Sequence, residues 1–62
     1  MRLRVLFRLS RMMWENVRDD PEAMAQLYRT LSDDDLIAAV RGVWYENKQT
    51  MEIFFVVPEE AE

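Results

Sequence analysis

Asp33, Asp34 and Asp35 form the densest run of potential metal ligands in this 62-residue chain. They follow Ser32 and precede an apolar stretch. That is the pattern of a helix start, where a serine caps the first turn and acids meet the positive end of the helix dipole. Consecutive helical residues point about 100° apart, so three in a row do not converge on one ion. The helix start accounts for them, and no metal site is expected. The chain has no cysteine and no histidine, which excludes a Cys/His zinc site, a disulfide and a Ser–His or Cys–His nucleophile. Ser10, Thr30, Ser32, Thr50 and the single Lys48 remain as nucleophiles without a base. Glu46 and Glu52 are a conceivable carboxylate pair across a hairpin, but such acids are ordinarily just solvated. With one glycine there is no phosphate-cradling loop. Neither catalysis nor a cofactor is expected.

The basic residues raise a second chemistry. Residues 1–31 carry six arginines against four acids, a balance of +2. Residues 32–62 carry Arg41 and Lys48 against eight acids, a balance of −6, so the two sum to the net −4. The halves attract each other, which closes the chain on itself or pairs two chains. Arg2, Arg4, Arg8, Arg11 and Arg18 could instead track phosphates, and two helices joined by a short link resemble a helix-turn-helix. The would-be recognition helix begins with three aspartates, however, and these repel phosphate. Binding of nucleic acid through the arginine face is therefore the second reading. The acidic half is too sparse for a mimic of nucleic acid. An amphipathic basic helix on a membrane would need a broader polar face.

The third chemistry is protein recognition. Phe7, Trp14, Trp44, Tyr45 and Phe54, with Arg4, Arg8 and Arg11, are of types suited to interface hot spots. Half of the residues are apolar, and seven are aromatic. A chain of this length hides only about 60% of its unfolded surface. It cannot enclose seven aromatics and four internal methionines in one small interior, and methionine-rich surfaces suit adaptable binding. Disulfides and Cys/His metal sites are absent, so association is the remaining way to stabilise so small a chain. A homodimer is expected.

These residues must be held by a small single domain over 1–57, with an acidic mobile tail over 58–62. The first stretch, MRLRVLFRLSRMMWENVRDD, fits two templates. One is a helix over 2–19, with Leu3, Leu6, Phe7, Ser10, Met13, Trp14 and Val17 on one face and Arg4, Arg8, Arg11, Glu15 and Arg18 on the other. The helical period covers more residues and is preferred. The alternative is a strand over 2–9, joining the sheet, then a helix over 11–19. Asp20 and Pro21 start a helix that runs to about Leu31, with Met24, Leu27, Tyr28 and Leu31 as its stripe. Ser32 starts a third, with Leu36, Ile37 and Val40 as its buried face and Gly42 just past its end. Strands over 43–46 and 49–57 with a turn near Asn47–Lys48 complete a hairpin, which Pro58 ends.

The fold class is α+β, two to three helices followed by a C-terminal β-hairpin. The expected function is a non-enzymatic protein-binding module: a small regulator, inhibitor or assembly subunit that occupies the surface of a larger protein. No apolar run approaches the ~18 residues of a membrane span. The cysteine-free composition and the arginines that interrupt the first apolar stretch fit a cytoplasmic protein rather than a secreted one. Arginine outnumbers lysine seven to one. That is a mark of GC-rich genomes, and a phage-encoded inhibitor is one form such a module would take.

Overall fold

The computed structural model describes residues 2–59. Among them, strand β1 (Arg2–Ser10) leads into helix α1 (Arg11–Val17), α2 (Pro21–Arg29) and α3 (Asp33–Ala38). A single 3-10 turn over Ala39–Arg41 follows, then β2 (Val43–Asn47) and β3 (Glu52–Glu59). The fold is α+β. Its antiparallel sheet has the order β1-β3-β2, so the N-terminal strand completes the sheet that the hairpin begins.

The long first helix is therefore replaced by the strand-then-helix alternative. The reason lies at the other end of the chain. Ile53 to Val57 is an unbroken apolar run, as a strand between two neighbours requires, and β2 can pair only one of its edges. The opening residues take the other, from Arg2 opposite Glu59 to Ser10 opposite Glu52. Tertiary pairing overrides a local helical period. Ser10 marks the change: its backbone is extended, and its Oγ accepts from the Met13 N–H at 3.2 Å, capping α1.

The two other helix starts follow the sequence. Asp20 accepts from the Glu22 and Ala23 N–H groups at 3.1 and 3.2 Å, with Pro21 in the first helical position. Ser32 accepts from the Asp35 N–H at 3.2 Å. The expected buried face of the third helix is overturned. Leu36, Ile37 and Val40 are 45%, 71% and 86% exposed, because α3 turns Asp35 rather than these side chains toward β1, where it pairs with Arg4.

The helices pack on one face of the sheet. There Phe55 of β3 lies amid Phe7 (β1), Tyr28 (α2) and Trp44 (β2), with ring centroids 4.7–6.1 Å away. Trp14 of α1 meets Trp44 at 4.5 Å. Leu9, Val17, Ile53 and Val57 are buried with Phe55. Edge and tilted contacts of this kind add to the burial of large apolar rings. Gly42 is required here for space rather than for backbone freedom. Its φ is −79°, and a Cβ would run into the Phe55 ring.

The hairpin turn is longer than expected. Lys48–Met51 form it, and β3 starts at Glu52 rather than at residue 49. Asn47 holds the turn with its side-chain Oδ1, which accepts from the Gln49 and Thr50 N–H groups. Its carbonyl accepts from the Met51 N–H at 2.8 Å. Met51 closes the turn with φ at 62°, a left-handed conformation that a side chain disfavours. Pro58 does not end the pairing. It stands opposite Leu3, beyond the end of β2 at Val56, so its missing N–H costs no ladder bond on that side. The strand reaches Glu59, and the expected acidic tail is left with residues 60–62, which lie outside the described residues.

Two substitutions test this packing in urea denaturation. Gly42→Ala lowers stability by about 1–3 kcal/mol, the range for overfilling a packed site. Met51→Gly raises it by about 1 kcal/mol by relieving the left-handed residue.

Candidate protein-binding surface

β1 contains one irregularity that decides which side chains are displayed. Val5 pairs with Val56, and Phe7 pairs with Phe55, so Leu6 is an extra residue in the ladder. A bulge of this kind reverses the alternation, because a strand's side chains point to opposite faces with a period of two. Before the bulge, Leu3 and Val5 share a face with Pro58 and Val56. After it, Phe7 and Leu9 share the helix-covered face with Phe55 and Ile53.

The face away from the helices is apolar. β1 contributes Leu3 and Val5, β3 contributes Phe54, Val56 and Pro58, and β2 contributes Val43 and Tyr45. Together with Trp44 and Arg41 they line a groove of about 580 Å³. Leu3, Val5, Val43 and Tyr45 are each more than half exposed. The chain measures 37 × 28 × 14 Å between Cα extremes. The short dimension is one sheet and one layer of helices, so among the described residues nothing covers the outer face. A second, more polar hollow of about 450 Å³ adjoins it through Arg41 and Pro58 and includes the exposed Ile37.

The side chains singled out in the sequence separate into three groups. Phe7, Trp14 and Trp44 belong to the interior ring cluster. Tyr45 and Phe54 stand on the outer face, their rings stacked at 6.5 Å. The arginines do not share a face. Arg4 pairs with Asp35 at 2.7 Å, and Arg11 pairs with Glu46 at 2.9 Å and Glu15 at 3.5 Å. Arg8 lies on the outer face beside Glu52 at 3.6 Å, and Arg18 is 3.9 Å from Asp19. The attraction between the basic and acidic halves is thus used within the chain. Each pair is partly exposed and adds at most about 1 kcal/mol.

Leu3, Val5, Val43, Val56 and Pro58 are the surface residues that the sequence reading missed. The signal for some of them was present. In the paired segments 43–46 and 53–57 both alternating sets are largely apolar, and helices on one side can cover only one set. Asp33–Asp35 sit in the first turn of α3, and among the described residues no group of three or more acids is placed to hold a metal. No described helix is long and apolar enough to cross a membrane.

The chain matches no known family model, no curated protein and no solved structure.

The division between the two faces has a direct energetic consequence. Phe55→Ala removes the ring at the centre of the interior and costs about 3–5 kcal/mol. Tyr45→Ser, on the outer face, shifts stability by no more than about 0.5 kcal/mol. Urea midpoints of the two variants at low micromolar protein check this.

Proposed function

We propose that the chain is a non-enzymatic protein-binding module of the cytoplasm, a small regulator, inhibitor or assembly subunit that docks through the outer face of its sheet. The carrying observation is that face: apolar residues from all three strands line one groove, and among the described residues no helix lies over it. Exposed contiguous apolar patches mark interaction sites, whereas isolated exposed apolar residues do not. The aromatic pair Tyr45–Phe54 supplies anchors of the type that dominate interface energies. Charged groups stand at its margin, Arg8 and Glu52 at one end and Arg41 at the other, as a polar rim does.

Nucleic-acid binding has less support. Arg4, Arg8, Arg11 and Arg18 each face a carboxylate, and Arg8 lies on the opposite face of the sheet from Arg4 and Arg11. Phosphate contacts along a backbone need a continuous basic surface.

Affinity capture with the immobilised protein from an extract of the cells that make it tests the reading. The expected result is a protein retained in high salt and lost with the Val43→Lys/Tyr45→Lys double variant. Retention by that variant would overturn the assignment of the face. Binding of a labelled DNA or RNA duplex that falls steeply with salt and with Arg8→Ala would favour nucleic acid instead.

A further inference from the structure

The outer face has a pattern that fits a particular occupant. Its side chains lie in rows across the three strands. One row is Tyr45, Phe54 and Arg8; the next is Val43, Val56 and Val5; the third holds Pro58 and Leu3, with Arg41 at the border. On the assumption that this face is a protein-binding surface, we infer that it pairs face to face with a second copy of the same chain, about a two-fold axis parallel to β3.

The rows carry the inference. Such an axis turns each row over onto itself. Val5 then meets the second copy's Val43, while Val56 and Phe54 meet their own counterparts on the axis. Arg8 comes to lie over the second copy's Tyr45, a ring–cation pairing that is favourable within about 6 Å. Leu3 meets the second copy's Arg41, whose aliphatic stem is a suitable cover for leucine. Within these three rows the contacts are apolar on apolar, cation on ring, or leucine on an arginine stem. A two-fold across the strands would do worse. It sets the row of Phe54 against that of Pro58 and parts Arg8 and Glu52 of one copy from those of the other. Sheets that pack in this way lie about 10 Å apart, a separation these side chains fill.

Charge points the same way. Two chains of net −4 repel each other over most of their surfaces. The apolar rows of the outer face carry few charges, and Arg8 and Glu52 there are of opposite sign. Across the axis the two Glu52 carboxylates approach each other with an Arg8 from each copy alongside, a closed group of alternating sign. Pairing through the free edge of β1 has no such match. Antiparallel self-pairing there would gather Arg2, Arg4 and Arg8 of both copies, and like charges across a ladder are unfavourable.

Sedimentation velocity over a dilution series from about 1 µM to about 1 mM reads the mass. The expected result is a rise from 7.5 kDa toward twice that value. Val43→Lys and Tyr45→Lys, at positions already exposed in the monomer, should weaken association at least tenfold. Val40→Lys, on α3's side of the molecule, should leave it unchanged. Arg8→Glu should weaken it, and the reversed pair Arg8→Glu/Glu52→Arg should restore it. A monomer at the highest concentration would overturn the inference. So would a dimer indifferent to Val43→Lys and Tyr45→Lys, or an open-ended assembly. If the chain is a monomer but captures another protein through Val43 and Tyr45, self-pairing alone has failed. If it is a monomer with no face-dependent capture, the binding reading has failed with it.

Discussion

Between Val5 and Phe7 the β1 ladder carries one residue more than its partner strand, and the display of both sheet faces depends on it. Arg2–Ser10 must pair with the whole of β3, because that strand needs a neighbour on each side. A strand with regular alternation would place Leu3, Val5, Phe7 and Leu9 on one face together. The extra Leu6 divides them, two to the outer face and two to the interior. Phe7 and Leu9 complete the ring cluster around Phe55. Leu3 and Val5 extend an apolar surface that Val43, Tyr45, Phe54, Val56 and Pro58 begin. The same bulge separates Arg4, which reaches Asp35 of α3, from Arg8, which stands on the opposite face beside Glu52.

Local chemistry made much of the fold legible. Asp20–Pro21 and Ser32 start helices where their side chains can accept backbone N–H bonds, and the change in pattern after Gly42 marks the hairpin. The long-range features were harder to read. A helical period and a strand with a bulge both fit residues 2–10, and only the need of Ile53–Val57 for a second neighbour decides between them. Ser10 was a boundary signal that the helical template absorbed into its apolar face. The exposure of Leu36, Ile37 and Val40 follows from how α3 meets the sheet, which periodicity does not encode. Gly42 was placed correctly as a helix end, but the ring of Phe55 is what requires it.

The candidate surface was legible by type and not by membership. Five of the seven aromatics meet on the helix-covered side, Phe55 buried and the other four half-buried, so three of the five suspected aromatics belong to that cluster. Tyr45 and Phe54 are the two that remain outside. Between them and Leu3 lies a set of small β-branched and apolar side chains that no single-residue reading singles out. They become a surface only when three strands bring them into rows. The arginines, prominent in the sequence, hold the acidic half of the chain against the basic half. A thin fold with one helix-covered face and, among the described residues, one uncovered face is what a short chain can build when five rings gather on one side of its sheet.

Because both faces depend on the ladder skipping Leu6, cross-strand Hα–Hα and amide NOEs in the NMR spectrum test the account most directly. The account predicts Val5 opposite Val56 and Phe7 opposite Phe55, with Leu6 lacking a partner. A regular ladder, with Leu6 opposite Phe55 and Phe7 opposite Phe54, would place Phe7 on the outer face and contradict it.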